Sequence, residues 1–437
     1  MSKSKLCTRS AALACVALVG SAAAAPAYRV LYHERLAIPP LTDANGQRHL
    51  SFDAYGRHFD VDLEINAGIA QAVSAGRSDI KPYSGTLTGI DGSWVRLTQT
   101  RDGWRGVISD GSQLYAIETP GDLEGAMLST AADAVSKSSA VMYRLADADI
   151  PSGGGLCGTD PDESLTSGSG RPTAQKAFTQ IAADISSSDT TSVSVTRQLN
   201  VGVVADHQFV DAIGSDPEGA VVARMDIVDG IWSSQVGIHI AVSSITLLTD
   251  ATDSFSGTTT PTDLLAEVAG YRAGLSAHDE TGLTHLMTGR QMQGNIIGIA
   301  YLGDVCNGST SVSLSQSTGS TTLSALTAAH ELGHNFNSIH DGVPGVCQST
   351  PQTYLMAPFI DFNEQFSACS LQQINLRAAS ASCLVQVNKS GTGSTTQPAT
   401  SEASSGQTGG GGRLDLTWLL LLGTALGVRR IHDRRAA

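Results

Sequence analysis

Apolar and polar residues alternate in short runs through the first third of the chain, from Tyr28 to about Met142. The clearest runs are 59–65, 94–97 and 113–117, and turn-forming residues separate them. A period of two places successive side chains on opposite faces and is typical of half-buried β-strands. The pattern therefore predicts a β-rich domain in this part of the chain.

The pattern changes after residue 193. Segment 199–205 is an almost unbroken apolar run that predicts a buried strand, apolar residues between 221 and 232 recur at helical spacing, and 238–242 predicts a second strand. Strands that alternate with helices are typical of an α/β domain with a mixed sheet. We expect this domain to cover residues 194–386.

Two stretches of biased composition flank the predicted α/β domain. Residues 151–193 are rich in Gly, Ser and Thr, and residues 387–412 are a low-complexity segment that ends in four glycines, so both predict linkers. The length of 437 residues suits two domains with tails, and the formal net charge is −14. An acidic chain repels nucleic acid, so no nucleic-acid partner is expected.

Residues 1–24 predict a secretory signal peptide. Three basic residues precede an apolar run at 11–19, and small residues follow it. A signal peptidase is therefore an expected partner. Cys15 raises the alternative of a lipoprotein site, but the apolar run before it is too short for one.

The strongest chemical signal lies in segment 330–341. His330 and His334 are four residues apart, so on a helix both imidazoles project from one face and can bind the same metal ion. Two neutral imidazole nitrogens suit zinc. Glu331 follows the first histidine, where its carboxylate can act as a general base on a zinc-bound water without ligating the metal.

A catalytic zinc usually has three protein ligands, and His340 is the candidate for the third. A continued helix would carry His340 to the wrong side and roughly 9 Å further along the helix axis. The helix must therefore stop just after Phe336, and the reversal needs a residue that tolerates positive φ. Asn337 is the second-best residue for this purpose after glycine.

These residues resemble the H-E-x-x-H-x-x-G-x-x-H signature of the metzincin zinc peptidases, and Asp341 after the third histidine resembles the adamalysin or reprolysin branch. Asn337 departs from the family, which has glycine there. Met356, within Tyr-Leu-Met-Ala-Pro, resembles the Met-turn, whose methionine packs beneath the histidines. The resemblance implies an α/β catalytic domain with a mixed, mostly parallel twisted sheet and a long zinc-binding helix.

The same resemblance implies a function, namely a zinc endopeptidase that hydrolyses protein or peptide substrates through a zinc-activated water with Glu331 as general base. Gly298, Ile299 and Ala300 lie where metzincins have the edge strand beside the cleft, to which an extended substrate adds as another strand. Two alternatives are a catalytically weak pseudoprotease that binds peptides and a zincin-like amidase with a non-protein substrate.

Phrases within residues 25–150, such as Tyr-Gly-Arg at 55–57, resemble the reprolysin propeptide. We therefore interpret the β-rich domain as a pro-domain and the protein as a latent precursor. Cys157, in Leu-Cys-Gly, resembles the reprolysin cysteine switch, in which a thiolate takes the fourth position on zinc. An incidental or intermolecular thiol is the alternative, because the usual proline and basic residue before the cysteine are absent.

Four further cysteines lie in the expected catalytic domain. An even number in an exported chain predicts two disulfides, and the sequence alone allows three pairings of Cys306, Cys347, Cys369 and Cys383. The resemblance to reprolysins implies the pairs Cys306–Cys383 and Cys347–Cys369.

Residues 413–437 combine an apolar run at 416–428 with arginines that follow it. With the preceding glycines they resemble the Gly-Gly sorting tails of Gram-negative bacterial proteins, which a rhomboid-type intramembrane protease removes. As a helix the run is about 20 Å long, short of the roughly 30 Å hydrocarbon core. We expect a transient tail on a secreted or cell-surface protein; the rival interpretation is a membrane-anchored protease.

Overall fold

The computed structural model describes residues 28–44, 47–123, 126–127, 140–150, 155–159, 193–275 and 281–387. All of these belong to one compact unit, residues 1–389. The predicted signal peptide, the predicted C-terminal tail and most of both predicted linkers lie outside the described residues. Within the described part, no helix is long and apolar enough to span a bilayer.

The N-terminal domain is almost entirely built of strands. In chain order its elements are β1 (Arg29–Val30), β2 (Glu34–Leu36), β3 (Thr42–Ala44), β4 (Gln47–Ala54), β5 (Arg57–Ile65), α1 (Ala67–Ala70), β6 (Lys81–Leu87), β7 (Trp94–Thr100), β8 (Gly103–Ser109), β9 (Leu114–Glu118), β10 (Ala140–Arg144) and β11 (Ala148–Asp149). Nine of the strands form one antiparallel sheet in the order β2-β10-β9-β8-β7-β6-β5-β4-β3, and β1 pairs with β11.

The alternating segments of the sequence lie in β5, β7 and β9. Along β5, the side chains of Phe59, Val61 and Leu63 are buried in a core on one face, while the residues between them are partly exposed. β4 and β5 are joined by a tight turn in which Tyr55 and Gly56 have φ of 53° and 67°. Two consecutive left-handed residues match the twist of the flanking strands, so this turn sets the register of the hairpin.

The second domain alternates strands and helices. Its elements are β12 (Leu156–Cys157), β13 (Arg197–Ala205), α2 (His207–Ile213), α3 (Pro217–Gln235), β14 (Ile238–Leu247), α4 (Pro261–Ala273), β15 (Leu283–Thr288), β16 (Ile296–Ala300), β17 (Val312–Gln316), α5 (Thr321–Asn335), α6 (Ala368–Ser380) and β18 (Val385–Gln386). The sheet has the order β12-β16-β17-β15-β13-β14, with β18 also against β13. Pairing is parallel except between β16 and β17 and between β18 and β13.

Helix α3 is buried on all sides, which the spacing of its apolar residues did not predict. It packs against β14 of its own domain and against β6, β7 and β8 of the N-terminal domain. One hydrophobic core consequently runs through both domains and includes Val107 and Tyr143 from the first and Val221 and Trp232 from the second.

Two disulfides tie the C-terminal part of the second domain together. Cys306 bonds Cys383, and Cys347 bonds Cys369, with Cα–Cα distances of 5.4 and 5.8 Å. These are the pairs that the family resemblance implied. Cys157 is the one free cysteine in the described part of the chain, and it is buried.

Candidate metal centre

Helix α5 and the turn after it bring three histidines together. His330 and His334 lie on one face of the helix, which ends one residue after His334. Asn337 follows with φ of 68°, so the chain reverses at the residue where the spacing required it. His340 returns to the same point, and the Nε2 atom of His334 lies 3.0 Å from that of His330 and 3.1 Å from that of His340.

Hydrogen bonds at Nδ1 fix the tautomers of two of the three imidazole rings. Nδ1 of His330 donates to the carbonyl oxygen of Leu355 (2.6 Å), and Nδ1 of His334 donates to that of Ser338 (2.7 Å). Burial lowers the pKa of His330 to about 3 and that of His334 well below its usual range, so both rings are neutral. Their Nε2 atoms therefore carry lone pairs and no proton.

Bare nitrogens about 3 Å apart repel one another unless a cation lies between them. The set of three buried imidazoles therefore fits a metal, and the ligand type fits zinc. The carbonyl groups that orient the rings are the outer partners that metal-bound histidines usually have.

The thiol of Cys157 completes this cluster. Its Sγ lies 3.3 Å from Nε2 of His334, and the four candidate ligand atoms all lie within 4.8 Å of one another. Burial, followed by the negative charge of Glu331, raises the pKa of the Cys157 thiol. A thiolate at this place therefore needs a cation beside it.

Segment 155–159, which carries Cys157, is an extended strand held on both sides. On one side it pairs in parallel with β16, and the N–H of residue 158 donates to the carbonyl of Gly298 (2.9 Å). On the other side, Pro358 accepts from the N–H of Cys157 (3.1 Å) and Ile360 donates to the first residue of the segment (2.8 Å). The groove beside the histidines is thus shaped to hold an extended backbone.

Glu331 is fully buried between this segment and β16. Its Oε2 accepts a hydrogen bond from the Thr159 hydroxyl (3.4 Å), and Oε1 has no partner in the described residues. Burial raises the pKa of Glu331 to about 8, although hydrogen bonds from Cys157 and Thr159 act against this rise. A methyl group on Gly298 would come within 3 Å of the Glu331 side chain, so glycine leaves the room that the carboxylate occupies.

Met356 lies next to helix α5, which carries two of the histidines. A methyl group on Gly333, one residue before His334, would lie 2.5 Å from the Met356 sulfur, so the methionine packs directly against α5. The Met356 carbonyl accepts from the N–H of Asp341 (2.8 Å). The Asp341 carboxylate accepts from Ser367 (2.9 Å) and Ser370, and burial raises its pKa to about 6.

The predicted edge-strand residues Gly298, Ile299 and Ala300 lie in β16, next to Glu331. Their outer side is covered by β12, which stands at the end of the sheet. Thr159 extends this contact, since its hydroxyl accepts from the N–H of Ala300 (3.2 Å). In this structure the predicted substrate edge is therefore occupied by the chain's own linker.

The sequence did not predict three residues that contact the site. The Thr159 hydroxyl contacts Glu331, and the main-chain groups of Pro358 and Ile360 contact segment 155–159. Main-chain partners leave no residue-type signal. Only the position of Thr159, two residues after Cys157, was available as a hint.

Comparison with known proteins supports the assignment of the three histidines to a metal centre. Residues 195–367 match the family model Reprolysin_5, a metallo-peptidase family M12 model. The zinc metalloproteinase-disintegrin-like brevilysin H2a of Gloydius brevicauda is 30% identical over 179 residues, which cover 40% of this chain and 42% of that protein. A disintegrin and metalloproteinase with thrombospondin motifs 20 of Homo sapiens is 28% identical over 204 residues, 42% of this chain and 10% of that protein.

The chain spans less than half the length of these relatives. Among solved structures, metalloproteinase-II from Bacteroides fragilis is similar with a TM-score of 0.45 and 12% identity, covering 76% of this chain and 92% of that chain. The family match and the relatives support a zinc metallopeptidase domain of the metzincin type, and they imply a divalent metal at the three histidines.

Proposed function

We propose that the protein is a zinc-dependent endopeptidase made as a latent precursor. The observation that carries the proposal is one juxtaposition: three buried imidazoles with converging Nε2 atoms lie beside a buried carboxylate, in a groove that holds an extended chain. His330, His334 and His340 would hold the metal, and Glu331 would lie next to it.

Different residues of the chain would bind the substrate and transfer the proton. Zinc, when bound, polarises a carbonyl oxygen and acidifies a water. The main-chain groups of Gly298 and Pro358, which here hydrogen-bond to segment 155–159, would bond an extended peptide substrate in the same groove. Glu331 would take a proton from the attacking water and return it to the leaving amine.

Latency would follow from the same geometry. Cys157 lies where a fourth ligand belongs, and its segment fills the groove that a substrate needs. Replacing Cys157 with serine keeps the size of the side chain and removes a strong zinc ligand. We expect Cys157→Ser to make the uncut chain hydrolyse peptides, whereas an inert Cys157→Ser chain would show that the pro-region inhibits by burial alone, with segment 155–159 covering the groove, or has another task.

We further propose that the protein is exported by a Gram-negative bacterium to the cell surface or the medium. Its two disulfides suit an oxidising compartment. Signal peptidase and a rhomboid-type sorting protease are the proposed processing partners, and both act on segments outside the described residues. Mass spectrometry of the mature protein tests this, because retention of Arg434 and Arg435 on the exported form would defeat the proposed removal of the tail.

The experiment that tests the catalytic role compares Glu331→Gln with Glu64→Gln, a control on an exposed residue of the N-terminal domain. Both changes are made in the Cys157→Ser chain. Glu331→Gln should keep one zinc and lose about 10²- to 10⁴-fold in peptide hydrolysis, since a positioned general base contributes on that order. Glu64→Gln should match its parent. An undiminished rate in Glu331→Gln would refute the assignment.

A further inference from the structure

A carboxylate from the N-terminal domain closes the start of the metal-binding helix. Glu118, at the end of β9, is fully buried. It accepts hydrogen bonds from the Ser320 hydroxyl (2.6 Å) and from the N–H groups of Thr321 (3.3 Å) and Thr322 (3.0 Å), while Tyr143 donates from its own domain (2.9 Å). The first N–H groups of a helix have no partner within the helix, and an anion there also complements the helix dipole. Part of α5 is thus capped from the other domain.

A second contact pairs buried carboxylates of α3 with polar side chains of the N-terminal domain, although His239 of β14 also contacts Asp229 from within the second domain. Asp226 and Asp229 lie on α3 and are at most 1% exposed. Arg96 of β7 donates to Asp229 (2.9 Å) and to the Ser233 hydroxyl (2.9 Å), and Asn66 donates to both carboxylates (2.8 and 3.0 Å). Removing one partner of a buried charge pair is strongly destabilising.

A third contact repeats this pattern at the start of α3. Arg77 of the N-terminal domain donates to the helix-capping Asp216 (2.6 Å) and to Glu218 (3.3 Å). Both carboxylates are buried in the second domain. Every one of these three contacts is lost if the N-terminal domain departs, and water must then replace the partners that the N-terminal domain supplied.

The two surfaces also fit closely at a glycine. A methyl group on Gly230 of α3 would lie 2.7 Å from Cγ of Arg96 and 2.9 Å from Cε3 of Trp94. These distances from the added methyl group are shorter than van der Waals contact, so the domains can approach this closely only because residue 230 has no side chain.

We propose that the N-terminal domain is a permanent part of the active enzyme, which remains bound to the catalytic domain after the linker is cut, with Glu118 anchoring the metal-binding helix. Activation then requires only that segment 155–159 leaves the groove. This inference rests on the proposed function for one point only, namely that the complex of the two domains is an active enzyme.

The test uses the full chain with the recognition sequence of a specific protease inserted within residues 160–192. After cutting, both fragments should co-elute in size-exclusion chromatography at about 1 μM. They should also co-elute in about 1 M NaCl, where the screening length falls to about 3 Å and surface ion pairs no longer hold. Separation of the fragments under native conditions would overturn the proposal.

Gly230→Ala and Gly270→Ala form a matched pair of variants. Both glycines lie inside helices, where alanine is the better residue, but only at Gly230 does the new methyl group meet the N-terminal domain, because nothing lies within 4 Å at Gly270. Gly230→Ala should raise the dissociation constant of the cut complex by about tenfold or more. Equal constants for the two variants would contradict the packing argument.

The role of Glu118 has its own readout. Glu118→Gln should speed amide hydrogen exchange at Thr321 and Thr322 by about tenfold, while Glu64→Gln leaves it unchanged. Unchanged exchange in Glu118→Gln would contradict the proposed anchoring role.

None of these measurements needs catalysis. A complex that stays together but never hydrolyses peptides refutes only the proposed function, whereas a separated catalytic fragment with full kcat/KM refutes only this inference.

Discussion

A single methyl group on Gly298 should disturb catalysis without touching the metal. In Gly298→Ala the new carbon would lie 2.8 Å from Cδ and 2.9 Å from Cγ of Glu331, and closer still to Oε1. Ordinary carbon contacts begin near 3.5 Å, so the carboxylate has to move by on the order of 1 Å. None of the three histidines has an atom among the nearest neighbours of that methyl group.

A misplacement of about 1 Å in a catalytic group costs on the order of 100-fold in rate, or about 2.7 kcal/mol of activation free energy. We therefore expect kcat/KM of Gly298→Ala, measured with a fluorogenic peptide in the Cys157→Ser chain, to fall by about 100-fold at unchanged zinc content. Gly257→Ala is the control, because that exposed glycine has no atom within 4 Å of the added methyl group. A Gly298→Ala rate within about twofold of the control would show that Glu331 is not confined as described.

Three further changes test the supporting structure. Burial raises the pKa of Asp226 to about 7, so the folded chain binds a proton there that the unfolded chain releases near pH 4. The stability that this group contributes is therefore lost as the pH rises from about 4 to 7. In Asp226→Asn, the melting temperature should fall less over this pH range. Asn337→Ala should cost about 1 kcal/mol in denaturant unfolding and loosen zinc, because alanine lacks the short polar side chain that lets asparagine tolerate a positive φ. Replacing Cys347 and Cys369 together by alanine should cost about 3 kcal/mol, since their disulfide spans 22 residues.

Local rules in the sequence accounted for the helix end and the turn that bring the three histidines together. The spacing of His330, His334 and His340 required a helix that stops and a left-handed residue after it, and α5 ends at Asn335 with Asn337 in that conformation. These features depend on helix geometry and on steric limits that act over a few residues, so they can be worked out without a structure.

The contacts between the domains could not be predicted in this way. The charged residues Asp226 and Asp229 interrupt the apolar spacing of α3 as a solvent-exposed face would, yet they are buried against Arg96. Glu118 is one acidic residue at the end of a strand, and its partner lies 202 residues away in the chain. A pairing over such a distance leaves no periodic pattern in either segment, so only the folded structure reveals it.

The central claim, that zinc at the three histidines drives peptide hydrolysis, is tested most directly by metal removal and return. The Cys157→Ser chain should cleave casein, should lose this activity together with its zinc when a chelator is added, and should regain both when zinc is restored. Hydrolysis that continues after the zinc has been removed, or a zinc-loaded chain that cleaves no peptide bond even after a cut within residues 160–192, would contradict the account.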